Sequence, residues 1–305
     1  MVEAAFYCVA DSRYFLGAVG LINSLRLVGH DERVYVLDCG LSAQQRALLE
    51  AEATIVEGPT DLAPQVLKTI APLAHPAATM VLIDTDMIVI RPITDLIATA
   101  AAGRVVGGSA ELDRFCPEWE QLLELGPVQR RPYISTGLVV CGGALGQELI
   151  RLVDERKHLV DFELSFWRRN EAGYALVHAD QDLINGVLAA RAGEEEIVAF
   201  DPRLSACPPF EGLAVVDLDS LRCAYADGTE PYVVHHWLTK PWLEPTEDGV
   251  YSRLLRRLLN GGDVAIEVPD AEIPTRFRSG LRAFAERTRI DTAVRMRRLR
   301  EPAKR

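Results

Sequence analysis

The 305-residue sequence has no apolar run of the roughly 18 to 20 residues that a membrane-spanning helix needs. Its start, MVEAAFYCVAD, also lacks the basic and the long apolar segments of a secretory signal peptide. Six cysteines are scattered without a C-x-x-C pair, which disfavours a zinc cage or a disulfide framework and favours reduced core thiols. We therefore predict a globular protein of the cytoplasm.

Basic residues are scarce except at the C-terminal end. The 33 Lys and Arg residues face 44 Asp and Glu residues, and the net charge of −11 argues against a general nucleic-acid binder, because affinity for phosphate backbones comes mainly from Lys and Arg. Residues 276–305 hold 11 basic and three acidic residues, a net charge of +8, which leaves −19 on the rest. We predict a main domain over residues 1–260, a linker over 261–275 and a basic helical tail over 276–305.

Short runs rich in Val and Ile alternate with stretches of helical periodicity, a pattern that predicts an α/β fold with a mainly parallel sheet flanked by helices. The predicted strands are 5–10, 34–38, 80–83, 137–141 and 232–235, and the predicted helices are 14–28, 43–53, 146–158 and 181–190. Residues 107–132 and 201–211 are predicted to be irregular, and long loops in such domains are more often functional than idle.

The sharpest local feature is Asp84-Thr85-Asp86, which follows the apolar strand Val81-Leu82-Ile83. Ligands of open α/β sheets bind at the carboxyl ends of strands, and two carboxylates this close repel each other unless a cation lies between them. The pattern predicts a divalent-cation site. A strand end with solvated acids is the alternative, because D-x-D is common by chance.

A second segment ends an apolar strand with His235 and His236 and continues to Lys240-Pro241-Trp242. Imidazole together with two carboxylates suits Mn²⁺ or a similar ion, and a lysine nearby would meet phosphate charge. Side chains alternate along a strand, so only one of the two histidines can be a ligand. The alternative is a pair of hydrogen-bonded histidines at a strand end.

A third segment, Asp180-Gln181-Asp182, lies at the start of a predicted helix. Asp180 and Gln181 can accept and donate hydrogen bonds to sugar hydroxyls. Asp182 can instead complement the helix dipole.

In their order along the chain, the three segments resemble those of glycosyltransferase family 8. These are the retaining GT-A enzymes that include bacterial lipopolysaccharide galactosyl- and glucosyltransferases and glycogenin. The resemblance covers roughly residues 4 to 258. It implies the GT-A fold, a Rossmann-like nucleotide-diphospho-sugar transferase fold. It also implies metal-dependent transfer of a hexose, glucose or galactose, from a UDP-sugar to a hydroxyl of a saccharide or glycolipid acceptor.

The resemblance also implies roles for individual residues. Asp84, Asp86 and His235 would hold Mn²⁺ or Mg²⁺, Lys240 would bind the diphosphate, and Asp180 and Gln181 would lie at the donor sugar. The residues that would contact the nucleotide sugar are Ala10, Asp11, Tyr14, Lys68, Asp84, Thr85, Asp86, Ser135, Thr136, Gly137 and Lys240. Ser135 departs from the family's asparagine. The span from His235 to Lys240 is one residue shorter than usual and lacks a glycine, which leaves His236 as the alternative ligand.

The mechanism expected from these residues is front-face attack. Retention through a covalent intermediate needs a nucleophile, and Gln181 is a neutral amide that is weak in that role. Asp180 is the alternative nucleophile. Aromatic and basic residues of the irregular stretch, Phe115, Trp119, Arg130 and Arg131, are expected either to shape an acceptor pocket or to belong to the local core.

The basic tail has Phe277, Leu281 and Phe284 at helical spacing among arginines. Such a helix can contact the inner face of a membrane peripherally, or it can pack on the acidic main domain. Two alternative functions remain at this point: a D-x-D phosphatase, and a catalytically silent protein that binds sugar nucleotides.

Overall fold

The secondary structure is given by a computed structural model that describes residues 3–59, 62–110 and 112–300, apart from the side chains of residues 295 and 297–300. The strands are β1 (Ala4–Ala10), β2 (Arg33–Asp38), β3 (Thr54–Glu57), β4 (Thr79–Ile83), β5 (Met87–Val89), β6 (Val105–Ser109), β7 (Ile134–Gly142), β8 (Ile197–Phe200), β9 (Ser205–Ala206), β10 (Leu213–Asp217), β11 (Arg222–Tyr225) and β12 (Val233–His235). The α-helices are α1 (Phe15–Leu27), α2 (Ala43–Leu49), α3 (Ile70–Ala74), α4 (Thr94–Ala101), α5 (Trp119–Leu122), α6 (Gly143–Arg156), α7 (Asp180–Arg191), α8 (Val250–Asn260) and α9 (Leu281–Arg300).

A seven-stranded sheet with the order β3-β2-β1-β4-β7-β6-β8 forms the centre of the molecule. Strand β7 runs antiparallel to its neighbours β4 and β6, and the other neighbouring strands are parallel. Strands β1 and β4 are buried on both faces, which explains their nearly continuous apolar sequences. The predicted mainly parallel, mixed sheet is confirmed.

Each face of the sheet carries its own hydrophobic cluster, because successive side chains of a strand point to opposite faces. Phe6 and Cys8 of β1 pack in the cluster that also contains apolar residues of α1, α4 and α8. Ala5 and Tyr7 of the same strand pack in the cluster that contains apolar residues of α6 and α7. The sheet is therefore covered by helices on both faces, as the alternating pattern predicts.

Helix α2 shows how local signals place an element correctly and misjudge its length. Ser42 caps the helix: its Oγ accepts from Gln45 N at 3.2 Å, and Gln45 Oε1 accepts from Ser42 N at 3.0 Å. The helix ends at Leu49, so the predicted extension to Ala53 is wrong. Residue Thr54 already pairs with Tyr35 of β2, and the chain must leave the helix to enter that strand.

A separate three-stranded sheet with the order β5-β12-β9 lies beside the central one. Strand β12 is antiparallel to β5, and the register places His235 opposite Met87 and Val233 opposite Val89. This pairing brings the histidines of the C-terminal half next to the segment that follows the two aspartates.

Residues 261–275, predicted to be a linker, lie against the main domain. The buried Asn23 of α1 donates to the carbonyl oxygens of Leu258 (2.9 Å) and Ile266 (3.0 Å) and accepts from Ile266 N at 2.7 Å. The side chains of Ile266, Ile273 and Phe277 are buried. The α-helix of the tail begins at Leu281, after a single 3₁₀ turn at Thr275–Phe277 and the left-handed Gly280. Among the described residues, no helix combines the length and apolar character that crossing a bilayer requires.

Candidate active site

The two aspartates of the D-x-D segment lie in the turn between β4 and β5. Asp84 N donates to the carbonyl oxygen of Gly137 at 2.8 Å, and Thr85 Oγ1 donates to the carbonyl oxygen of Val9 at 3.3 Å. Because Val9 and Gly137 belong to the strands on either side of β4, the turn is anchored at the edge where the parallel strands β1 and β4 end. This is the edge where open α/β sheets bind ligands.

His235 reaches this turn through the pairing of β12 with β5. Its Nε2 lies 3.2 Å from Asp86 Oδ1, and ligand atoms of Asp84, Asp86 and His235 all lie within 4.8 Å of one another. His236 points to the other side, where its ring lies 5.2 Å from the ring of Tyr251. Of the two histidines that the sequence offers, the structure brings His235 to the aspartates.

Gly137 leaves the space that the His235 ring occupies. A Cβ atom at residue 137 would lie 2.4 Å from Met87 Cε and 2.8 Å from His235 Cε1, both closer than carbon atoms approach without a shift. The neighbouring Ser135 is half-buried, and Thr136 Oγ1 donates to Asp180 Oδ2 at 3.0 Å. The Ser-Thr-Gly segment of β7 therefore connects the histidine side of the site with the start of α7.

Two lysines neutralise the carboxylates of the site. Lys240 Nζ lies 2.5 Å from Asp86 Oδ2 and donates to the carbonyl oxygen of His236 at 2.7 Å. Lys68 Nζ lies 2.7 Å from Asp84 Oδ1 and 2.9 Å from Asp180 Oδ2. Both lysine side chains are largely buried. Removing the charge of one partner of such a buried pair leaves the charge of the other uncompensated, which lowers the free energy of unfolding.

The protonation of the site follows from burial and from these pairs. Burial raises the pKa of Asp84, and Lys68 only partly opposes it. Burial also acts to raise the pKa of Asp86, but the charges of His235 and Lys240 outweigh it and hold that pKa below its usual range. Burial acts to lower the pKa of His235, and the carboxylate of Asp86 overcomes this and raises it to about 10. The site is therefore a balanced cluster of charges.

The residues fit a divalent cation. Asp86 Oδ1 is buried and, despite its 3.2 Å approach to His235, has no well-aligned hydrogen-bond donor among the described residues. Two carboxylates and one imidazole are oxygen and nitrogen donors of the kind that Mn²⁺ accepts, and Mg²⁺ is compatible with the carboxylates. The Asp84, Asp86 and His235 group is therefore a candidate metal site whose charge the lysines balance.

The start of α7 presents Asp180 and Gln181 to the same site. Ala179, immediately before the helix, is fully buried and has φ +50°, a left-handed conformation that costs a non-glycine residue on the order of 1–3 kcal/mol. Gln181 Nε2 donates to the Tyr133 hydroxyl at 3.2 Å. Strain of this kind persists where the surrounding structure enforces it, as at the start of this helix.

Asp182 turns inward, so it does more than complement the helix dipole. Arg114 Nε lies 2.7 Å from its Oδ1, the Tyr133 hydroxyl donates to the same oxygen at 2.8 Å, and His178 N donates to Oδ2 at 2.8 Å. The role of Arg114 has no local signal, because nothing in the irregular segment that carries it indicates a partner 68 residues away. The carboxylate fixes the loop that precedes α7.

The segment that follows β1, residues 11–14, lies next to Lys240. Asp11 Oδ1 accepts from the backbone N atoms of Arg13 and Tyr14, both at 2.9 Å, while Ala10 is buried at the end of the strand. Trp242 Nε1 donates to the carbonyl oxygen of Arg13 at 2.7 Å. Lys240 Nζ lies 5.7 Å from the ring centroid of Tyr14. The structure thus brings the predicted nucleotide-binding start next to the predicted diphosphate-binding lysine.

Three aromatic side chains that sequence reasoning did not single out form a cluster near the site. Phe166 and Trp167 are 43% and 44% exposed, and their ring centroids lie 6.5 Å and 6.2 Å from that of Trp237. Phe166 N donates to the carbonyl oxygen of Val177, three residues before Asp180. By contrast, Trp119 is buried in the core and donates to the carbonyl oxygen of Ala175. About 70 residues separate Trp167 from Trp237, so no local pattern links them.

Comparison with solved structures identifies the fold. An active-site mutant of LgtC superposes with a TM-score of 0.55 at 16% identity, covering 88% of this chain and 98% of that one. The galactosyltransferase LgtC in complex with donor and acceptor sugar analogs gives a TM-score of 0.53 at the same identity and coverage. The bifunctional glycosyltransferase WbbM gives 0.53 at 14% identity, covering 86% of this chain and 50% of that one. The fold is that of these glycosyltransferases.

The predicted GT-A fold is thereby confirmed. No protein-family model matches the chain, and no curated protein matches it. At 14–16% identity the similarity establishes the fold alone. The activity has to be argued from the residues of the site.

Proposed function

We propose that the protein is a metal-dependent, retaining glycosyltransferase that moves glucose or galactose from a UDP-sugar to a hydroxyl of a saccharide or glycolipid. The observation that carries this proposal is the convergence of Asp84, Asp86 and His235 with two buried lysines at the ligand-binding edge of a GT-A sheet. LgtC, which shares the fold, is a galactosyltransferase crystallised with donor and acceptor sugar analogs.

The charges of the site suit a diphosphate leaving group. A bound Mn²⁺ or Mg²⁺ on Asp84, Asp86 and His235 would act as a Lewis acid toward the diphosphate oxygens. Lys240 then exchanges its ion pair with Asp86 for a phosphate oxygen, and Lys68 stays between the donor and the carboxylates of Asp84 and Asp180. Positive groups fixed where negative charge develops lower the barrier.

The reaction at the anomeric carbon proceeds by front-face attack. The bond from the anomeric carbon to the leaving phosphate oxygen breaks, the acceptor oxygen bonds to that carbon, and the acceptor proton passes to the leaving oxygen. Asp180 is a poor nucleophile, because Lys68 and the Thr136 hydroxyl both hold its Oδ2. The neutral amide of Gln181 orients the donor sugar by hydrogen bonds.

Donor recognition uses the remaining residues of the same edge. The ring of Tyr14 and the carboxylate of Asp11 hold the uracil, next to the end of β1 at Ala10. The Ser135-Thr136-Gly137 segment and Thr85 lie beside the donor sugar and ribose. Ser135 offers a hydroxyl at this place, a shorter polar group than an amide, and so leaves more room there.

We assign acceptor binding to the aromatic cluster of Phe166, Trp167 and Trp237. Exposed aromatic rings can stack on the apolar face of a sugar. The cluster joins the loop before α7 to the loop between His236 and Lys240, and these loops lead to Asp180 and Lys240, which we propose to act at the donor. Trp167→Ala should raise the KM for the saccharide acceptor and leave the KM for the donor unchanged.

The test of the activity is release of UDP from a panel of UDP-sugars with and without Mn²⁺. We expect metal-dependent release from UDP-glucose or UDP-galactose, accelerated by a saccharide acceptor. Binding of a UDP-sugar without turnover would favour the silent binding protein. Absence of UDP-sugar binding, together with hydrolysis of phosphomonoesters, would favour the D-x-D phosphatase.

We further propose that the protein works in the cytoplasm and that α9 contacts the inner face of the membrane peripherally. All six cysteines are free thiols, which suits that compartment. Leu281 and Phe284 are 88% and 62% exposed on a helix rich in arginine, a combination typical of interfacial helices.

Leu281→Ser/Phe284→Ser should reduce co-sedimentation with phosphatidylglycerol vesicles, whereas the control Leu73→Ser/Leu112→Ser, with exposed leucines elsewhere, should not. Equal co-sedimentation of both variants and the wild type would contradict membrane contact through α9.

A further inference from the structure

A groove of about 840 Å³ opens between α8 and the beginning of α9, in a part of the molecule that the proposed reaction does not use. Five arginines line it: Arg253, Arg256, Arg257, Arg278 and Arg287. They come from three consecutive parts of the chain, α8, the turn before α9 and α9 itself. Such a concentration of guanidinium groups is unexpected on a domain whose net charge is strongly negative.

Two of the five arginines are paired with carboxylates. Arg256 donates to both oxygens of Asp248, at 2.8 Å and 3.0 Å. Arg257 donates to Asp263 at 2.8 Å, and its Nε lies 3.4 Å from Asp219. These pairs fix the floor of the groove and use the acidic residues that line it.

The other three arginines form no ion pair with any residue that the structure describes. Arg278 donates to the carbonyl oxygen of Ile273, and Arg287 donates to those of Arg276 and Arg278. Arg253 is exposed, and its guanidinium group makes no hydrogen bond to the described residues, although its backbone N donates to the carbonyl oxygen of Gly249. Burial and the charge of Arg256 lower the pKa of Arg287, although the carboxylates of Asp248 and Asp291 act in the opposite direction.

One further donor in the wall of the groove has no acceptor. Nη1 of Arg257 is buried and forms no hydrogen bond within the described part of the chain. It lies where a Cβ atom of residue 261 would be, 2.0 Å from that position, so Gly261 provides its space. A buried guanidinium donor without an acceptor costs free energy, and the charge of an anion beside Arg257 would offset part of that cost.

We propose that this groove is a phosphate-binding site, separate from the metal site. A guanidinium group matches two oxygens of a phosphate at once, and several of them around one cavity suit an anion with more than one charge. The volume exceeds that of a single phosphate, so the ligand is a phosphoryl group on a larger molecule or a diphosphate. Two sources share this chemistry: a free polyphosphate, and the headgroup of an anionic lipid. Gly280 lines the groove and precedes the exposed Leu281, which places apolar side chains next to the site.

Calorimetric titration of the full-length protein with inorganic pyrophosphate in EDTA tests the site, since removing divalent cations separates it from the metal site. The groove variant is Arg253→Gln/Arg278→Gln. The matched control is Arg33→Gln/Arg104→Gln, which removes the same charge from exposed arginines that lie in the main domain, away from α9, and do not line the groove. We expect saturable binding that weakens at least tenfold in the groove variant and changes less than twofold in the control.

Flotation with phosphatidylglycerol vesicles distinguishes the two sources. Recruitment that the groove variant loses and the control keeps identifies a lipid phosphate, and pyrophosphate binding without such recruitment identifies a free phosphate compound. Equal losses in the two double variants would show an unspecific effect of charge and overturn the proposal. So would the absence of both pyrophosphate binding and groove-dependent recruitment. Because no readout is an activity, these outcomes do not depend on the transferase reaction.

Discussion

At the edge of the sheet, both lysines of the site lie within 3 Å of a carboxylate, whereas three arginines of the groove between α8 and α9 have no carboxylate within 4 Å among the described residues. The first cluster is largely buried and close to charge balance. The second is open and keeps an excess of positive charge. The two clusters therefore suit different ligands: the balanced cluster suits a cation together with an anion, and the unbalanced groove suits an anion alone.

The largest effect should follow from removing the charge of a proposed metal ligand in the balanced cluster. Asp86→Asn should lower metal-dependent UDP release by roughly 10²–10³-fold, because a group that organises charge stabilisation at the leaving group is lost. The control Asp113→Asn changes the same charge in an exposed pair with Arg130 and should leave the rate within twofold. Circular dichroism should show that both variants are folded. Comparable rates for the two folded variants would contradict the role of Asp86.

Removing a cation from the same cluster should destabilise the protein. Lys68→Met leaves Asp84 and Asp180 facing each other without their shared partner, and breaking a buried pair costs about 3–5 kcal/mol of unfolding free energy. Mn²⁺ should restore part of this loss, because the ion replaces the lysine charge beside Asp84.

The control for this change is Arg151→Met, which breaks an exposed pair with Glu155 within α6. Pairs nearer the surface contribute less than about 1 kcal/mol. Urea unfolding with and without Mn²⁺ measures both variants. If the two substitutions cost the same, the Lys68 pairs do not have the importance that their burial indicates.

A smaller effect should follow from crowding His235 without touching its charge. Gly137→Ala places a methyl group where Met87 Cε and His235 Cε1 lie, and should weaken Mn²⁺ binding roughly 10- to 100-fold, as loss of support behind a ligand does. Gly249→Ala is the control, since a Cβ atom there approaches nothing closer than 4.0 Å. Calorimetric titration with Mn²⁺ compares the two. Unchanged affinity in Gly137→Ala would show that His235 is not a ligand.

The smallest effect is expected in the groove. Arg253→Gln removes a charge that has no ion pair, so the unfolding free energy should change by less than about 0.5 kcal/mol, as for other surface substitutions. Urea unfolding measures the change. A loss as large as that of Lys68→Met would reveal a partner for Arg253 and would erase the contrast between the two clusters.

Much of the architecture could be predicted because the signals are local. The apolar runs of β1 and β4 reflect burial on both faces, and the serine before α2 indicates a cap that the structure contains. The position of Asp84 and Asp86 at a ligand-binding edge could be predicted because they directly follow an apolar strand. Alternation along β12 predicted that one histidine would face them, and pairing with β5 selects His235.

The rest depended on residues that are distant in the sequence. Lys68 pairs with both Asp84 and Asp180. Arg114 pairs with Asp182, and the ring of Trp237 contacts that of Trp167. In each case the partners come from different parts of the chain. The groove arises because Asn23 holds residue 266 against α8 and directs the tail back over the arginines of that helix. The sequence alone determined the elements, the strand that presents the acids and the charge of the tail, since periodicity and composition act locally. Which cation pairs with which carboxylate is fixed by tertiary packing, because the partners lie far apart in the sequence and the packing of the whole chain brings them together.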